Sequence, residues 1–272
     1  MQFKKIISFG FFISLYLFTH SQSAQESFDL GQEKFKEKEF KASIVYFTKA
    51  TELNKQYTQA FYYRGLAKAN LEEYQRAIDD LTKALALDTK LEGAYFIRGL
   101  SKLALQDDEK AIDDFSKAIK LKPSLTAAYF YRAICKGNLS DTKSAIDDYT
   151  EVIRVEPKNV DAYYNRAYLF AVMQNYRSSI SDYNKVLELR PGNVQAYLNR
   201  GLCRAKLNDK EGADMDLKRA SELNQREVSA YYNSVALNLN AGQKNVGGID
   251  KSEGSEQQAH ARALEGIIKY TK

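Results

Sequence analysis

A 34-residue period, kept without insertion or deletion through most of the chain, constrains this sequence more than any single residue. The stretch from Glu92 to Leu125, EGAYFIRGLSKLALQDDEKAIDDFSKAIKLKPSL, meets a copy of itself when shifted by 34 residues in either direction. Six copies begin at Ala24, Thr58, Glu92, Thr126, Val160 and Val194, and the last ends at Glu227. A fixed period of this length means one small supersecondary unit stacked on itself, each copy burying its apolar face against its neighbours.

With each copy numbered from 1 to 34, positions 2–14 and 18–31 both carry apolar residues at helical spacing. The break between them holds pairs such as Gln106-Asp107, Ser140-Asp141 and Asn208-Asp209, residues that favour turns and helix starts. Each copy therefore reads as an antiparallel pair, helix A then helix B. Position 8 is Gly31, Gly65, Gly99, Ala133, Ala167 and Gly201, and position 20 is Ser43, Ala77, Ala111, Ala145, Ser179 and Ala213, small enough for close backbone approach. Position 27, from Ala50 to Ala220, is small or β-branched and is expected to meet the next copy. Large side chains at positions 4 and 24, such as Tyr95 with Phe115 and Tyr129 with Tyr149, are expected to fill the space between the helices. Pro123, Pro157 and Pro191 at position 32 end helix B, because proline disfavours helix in the residue before it.

Phased agreement at positions 8, 20, 27 and 32 resembles the tetratricopeptide repeat, over Ala24 to Glu227. The resemblance implies an all-α fold, a right-handed α-solenoid of six 34-residue helix-turn-helix repeats (24–57, 58–91, 92–125, 126–159, 160–193 and 194–227). Its concave wall would be made of A helices. Departures are local: Lys55, Thr89 and Gln225 replace the position-32 proline. Position 11, usually aromatic in the family, is mostly basic, as Lys34, Lys68, Lys102, Lys136 and Arg204.

Position 7 is Arg64, Arg98, Arg132, Arg166 and Arg200 in copies two to six, where the family commonly has leucine. Such a column could be an anion-binding stripe. Position 23, however, is Asp80, Asp114, Asp148, Asp182 and Asp216 in the same copies, and the first copy breaks both columns together with Leu30 and Tyr46. Joint absence points to an ion pair inside each repeat, tying helix A to helix B, since buried arginine is nearly always paired.

The resemblance also implies that positions 2, 5, 6, 9, 12 and 13 of helix A line the concave groove, where family members bind a peptide or protein segment. Carried onto this chain, the candidate ligand-binding residues are Tyr62, Tyr63, Phe96, Phe130, Tyr131, Tyr164, Asn165, Tyr168, Asn199 and Asn233. The basic groups with which some members clamp a C-terminal carboxylate are missing at positions 5, 6 and 9. Asn165, Asn199 and Asn233 fall at position 6 of successive A helices. Each amide has one acceptor and two donor hydrogens, so the three could form a ladder for the main chain of an extended peptide. The aromatic residues at positions 4 and 5 also read as core.

The ends are different. Two lysines, Lys4 and Lys5, precede the uncharged apolar run Ile6–Phe18, which as a helix would rise about 20 Å, short of the roughly 30 Å of a bilayer core. Residues 1–23 therefore read as a signal peptide, the alternative being an uncleaved anchor, with cleavage expected after Ser21 or Ser23 and no membrane span left afterwards. Export to the periplasm or the medium is the corresponding expectation. After the sixth copy, 228–240 reads as a capping helix, 241–258 as a flexible linker, and 259–272 as an amphipathic tail helix that packs on the cap or folds back into the groove.

Removing Lys4 and Lys5 lowers the formal charge from +5 to +3, no footprint for nucleic acid. Cys135 and Cys203 share one repeat position two copies apart, too far for a disulfide, and should be buried free thiols. No cofactor, metal site or enzyme active site is expected: the only histidine after the leader is His260, and the recurring Asp pairs follow the repeat. The reading is a non-catalytic interaction module whose partner is a protein or peptide segment in the groove. The alternative is an accessory subunit of a cell-envelope assembly or secretion complex.

Overall fold

The computed structural model describes residues 23–224, together with Ser229. Among the described residues all regular structure is helical. The A helices are α1 (residues 23–36), α3 (Thr58–Asn70), α5 (Glu92–Ala104), α7 (Thr126–Asn138), α9 (Val160–Val172) and α11 (Val194–Lys206). The B helices are α2 (Phe40–Leu53), α4 (Tyr74–Leu87), α6 (Asp108–Leu121), α8 (Thr142–Val155), α10 (Tyr176–Leu189) and α12 (Lys210–Leu223). This is an all-α repeat solenoid. The helices form two compact units, divided between Lys122 and Pro123. Within each unit consecutive helices pack on one another. The leader 1–22, the cap 228–240 apart from Ser229, the linker 241–258 and the tail 259–272 lie outside the described residues, and so does Asn233.

One link joins every helix A to its helix B. In α5 the N–H of Gln106 donates to the carbonyl of Leu103 and that of Asp107 to the carbonyl of Lys102, both at 2.9 Å. This is a Schellman stop, which needs a left-handed residue at its centre. Gln106 sits there at φ 59°, and Lys38, Glu72, Ser140, Gln174 and Asn208 take the same place in the other pairs. The next residue starts helix B: Asp107, Asp141, Asn175 and Asp209 accept from the N–H three residues on. Helices α6, α8 and α10 stop two residues before their prolines. Without proline, α2 and α4 stop at the same place. There Asn54 Oδ1 accepts from the Gln56 N–H at 2.9 Å and Asp88 Oδ1 from the Lys90 N–H at 2.8 Å, side-chain turns that do the work of the ring.

Small residues set the spacing inside each pair. A Cβ on Gly99 would lie 2.8 Å from the Phe115 ring, and one on Gly65 2.8 Å from Leu81. Between copies, Ala50 packs with Ala60 in the first unit and Val186 with Ala196 in the second, as expected for position 27.

The large rings pair differently from the expectation. Position 24 meets position 5, not position 4: ring centroids are 5.6 Å apart for Phe28 and Phe47, 5.9 Å for Phe96 and Phe115, 5.5 Å for Phe130 and Tyr149, and 5.6 Å for Tyr164 and Tyr183. Position 4 lies one turn before the position-7 arginine, and its ring stacks there instead. The guanidinium carbon is 5.4 to 5.7 Å from the rings of Phe61, Tyr95, Tyr129, Tyr163 and Tyr197.

Candidate functional site

The arginine column is structural. Arg64 Nε donates to Asp80 Oδ2 at 2.8 Å and its Nη2 to Oδ1 at 2.7 Å, a two-pronged grip joining α3 to α4. The same bond pattern ties Arg98 to Asp114, Arg132 to Asp148, Arg166 to Asp182 and Arg200 to Asp216. Asp80 is buried and Arg64 nearly so, at 3% and 11% side-chain exposure. The fork has a third prong that the sequence reading missed. Nη1 reaches helix B of the preceding repeat, from Arg64 to Thr48 and Thr51, Arg98 to Thr82, Arg166 to Thr150 and Arg200 to Asn184, at 2.7 to 3.2 Å. One arginine therefore fastens two helices of its own repeat and one of the repeat before.

The unusual basic residue at position 11 belongs to the same cluster. Lys68, Lys102 and Lys136 each place Nζ 2.7 Å from the aspartate already held by arginine, and Arg204 Nη1 is 2.9 Å from Asp216. Positions 7 and 11 are one helical turn apart on one stripe, so two cations converge on each carboxylate. That spacing, together with the departure from an aromatic at position 11, was the signal available in the sequence. Phe170 stands there in the fifth copy, and Arg166 lies 5.8 Å from its ring.

Positions 4, 7 and 11 occupy one side of helix A, and positions 5, 6, 9 and 12 the other. On that second side the predicted site residues separate into three groups. Phe96 is fully buried, a packing residue against Phe115 with no surface for a ligand. Tyr63 and Tyr131 are also engaged in packing: Tyr63 joins the Phe28–Phe47 cluster, and Tyr131 is 6% exposed with its ring against Phe130. Tyr62, Phe130, Tyr164, Asn165 and Tyr168 are half-buried, each presenting part of a side chain.

The asparagine column divides in the same way. Asn199 on α11 is buried, and its Nδ2 donates to the Tyr164 hydroxyl on α9 at 2.9 Å. It braces two neighbouring A helices instead of standing as an open rung, because the tyrosine one repeat back reaches it first. Asn165 on α9 makes no hydrogen bond among the described residues, although it is half-buried. One turn further on, the Tyr168 hydroxyl is also without a partner among the described residues, and burial pushes its pKa up. Helix α9 therefore offers an amide and a phenol side by side on a partly apolar surface.

Cys135 and Cys203 are buried free thiols. Burial raises the Cys203 thiol, which lies 3.3 Å from the Ser179 hydroxyl. Among the described residues no group of His, Cys, Asp or Glu is placed to hold a metal ion, and no helix is long and apolar enough to cross a membrane.

Two family models, each described as tetratricopeptide repeat, match the chain: one over residues 160–193, the other over 27–57, 92–125 and 194–227. The chain is a tetratricopeptide repeat protein. Solved structures of the same fold include a MamA protein, 22% identical, covering 63% of this chain and 94% of its own, with a TM-score of 0.60. YrrB, described as a tetratricopeptide repeat protein with an unusual peptide-binding site, is 22% identical and covers 69% of this chain and 97% of its own, with a TM-score of 0.63. The pilF protein of Pseudomonas aeruginosa is 14% identical and covers 79% and 99%, with a TM-score of 0.62. No curated protein sequence matches the chain. As a tetratricopeptide repeat protein it belongs to a class of protein–protein interaction modules that are in general non-catalytic.

Proposed function

We propose that this tetratricopeptide repeat protein binds an extended protein segment on the A-helix face of its second unit, across α9 and α11. The observation that carries the reading is the Asn165 amide, which makes no hydrogen bond among the described residues. A half-buried amide that no described residue hydrogen-bonds can exchange its water for a peptide main chain, which brings one donor and one acceptor per residue. Tyr168 adds a phenol and apolar area beside it, and the Asn199–Tyr164 brace fixes the spacing of the two helices beneath the ligand. Phe130 adds comparable surface on α7. Recognition is by shape and main-chain hydrogen bonding, and the face carries no reacting group. The protein acts as an adaptor, exported after removal of the leader in residues 1–23.

A photo-crosslinking residue at position 165, compared with one at the exposed Lys218 on α12, tests the proposal in intact cells. A partner captured from position 165 alone supports it. Capture of one envelope complex from both positions supports instead an embedded subunit of a larger assembly. With the captured segment in hand, Asn165→Ala is expected to weaken binding about three- to tenfold, the loss of one or two hydrogen bonds, without lowering the melting temperature.

A further inference from the structure

On the opposite side of α3 from the candidate face, helices α2, α3 and α4 border an open cleft of about 530 Å³. Its walls include Thr51, Lys55, Phe61, Arg64, Lys83 and Leu87. The sequence explains why it opens here. Position 28 is Leu85, Ile119, Ile153 and Leu187 in copies two to five but Thr51 in the first. Thr51 is held down by its own bonds, donating to the Thr48 carbonyl at 2.8 Å and accepting from Arg64 at 2.9 Å, so it leaves the gap unfilled. Phe61, moreover, is a phenylalanine where the next four copies have Tyr95, Tyr129, Tyr163 and Tyr197, which removes a hydroxyl from this junction.

The charges around the cleft do not cancel. Arg64 and Lys68 share the single carboxylate of Asp80, leaving one positive charge in excess. Lys83, with its Nζ 5.8 Å from the centre of the Phe61 ring, and Lys55 form no ion pair among the described residues. Glu52, also in the lining, returns one negative charge. The exposed Leu87 side chain and the small exposed part of the Phe61 ring lie beside two ammonium groups that no described carboxylate pairs, a setting complementary to an apolar body carrying one anionic group.

We propose that this cleft is a second ligand site, independent of the face on α9, for an aryl or branched-alkyl carboxylate. The apolar part lies against Phe61 and Leu87, and the carboxylate lies between Lys83 and Lys55. Such a group exists either as a free acid or as the C-terminal residue of another chain, and the test separates these sources.

The probes are 4-phenylbutyrate, its uncharged amide, and a tetrapeptide ending in phenylalanine with a free or an amidated C-terminus. Each is titrated into the full chain while backbone amide resonances of residues 48–87 are followed. Saturable shifts with 4-phenylbutyrate but not its amide support a free acid. Shifts only with the free-terminus peptide support a chain end. Lys83→Gln is expected to weaken either about tenfold, equivalent to 1.4 kcal/mol. Ala86→Phe, at an exposed lining position, is expected to block binding while leaving the fold intact. The proposal is overturned if no probe shifts these resonances at about 10 mM, where even millimolar binding would register, or if Lys83→Gln and Ala86→Phe bind as the parent does.

Discussion

Arg64 grips Asp80 through both of its near nitrogens, with the bonds at 2.8 and 2.7 Å, and Lys68 approaches the same carboxylate at 2.7 Å. The carboxylate is the hub, so removing it is worse than removing either cation. Asp80→Ala leaves two buried or half-buried cations without their anion and is expected to cost about 3–5 kcal/mol. Arg64→Leu leaves Asp80 still paired with Lys68 and should cost less. Urea denaturation of the two variants checks the order, and a larger loss for Arg64→Leu would remove the hub assignment.

The glycines make opposite predictions. Gly99→Ala would drive a methyl to 2.8 Å from the Phe115 ring and is expected to destabilise by about 1–3 kcal/mol. At Gly137 the nearest atom, on Leu169, is 3.9 Å from the added carbon, an ordinary contact. Gly137→Ala should therefore stabilise by up to about 1 kcal/mol, the helix-propensity gain. Thermal melts of both variants give the comparison.

Six links hold a non-glycine residue at positive φ. Gln106→Gly relieves the Cβ clash of the left-handed conformation, and a gain of up to about 1 kcal/mol is expected after the entropy of the unfolded glycine is set against it. Gln106→Val should destabilise, because a β-branched side chain tolerates that region least. Equal stability of the two variants would contradict the assigned conformation.

Alkaline pH probes Tyr74. Burial first, and the Glu72 charge second, push its phenol up to about 12 from the ordinary 10. Between those values the folded chain keeps a proton that the unfolded chain has lost, so this contribution to stability is complete below pH 10 and falls as the pH rises towards 12. Lysines titrate in the same range, so the readout is the difference between the parent and Tyr74→Phe. Loss of stability across pH 10–12 should be shallower in the variant.

At the acid end, Asp107 is held below the ordinary carboxylate range, chiefly by the hydrogen bond from the Lys110 side chain. Its capping contribution to α6 is present above the unfolded pKa near 4 and is lost as pH falls through the lower folded value. Asp107→Ala is expected to cost about 1 kcal/mol at neutral pH and less below pH 3, measured by denaturation at both.

The period alone determined the helix pairs, the small-residue contacts and the arginine–aspartate pairing, because each follows from spacing along one helix or from columns that break together in the first copy. The lysine at position 11 was legible too, one turn from its arginine, but its role depended on seeing both point at one aspartate. Ring pairing was not legible. Positions 4 and 5 are adjacent in sequence and both aromatic; the spacing along helix A allows position 4 to reach the arginine one turn on, but only the rotation of helix A against helix B, fixed by the close approach at Gly99 and its equivalents, sends position 5 to the core. The same rotation buried Phe96 and turned Asn199 onto Tyr164, while the Asn165 amide meets no partner among the described residues. Periodicity states which residues share a face; the tertiary structure decided how deep each one sits and what it meets, because burial depends on the partner helix, whose orientation no local pattern encodes.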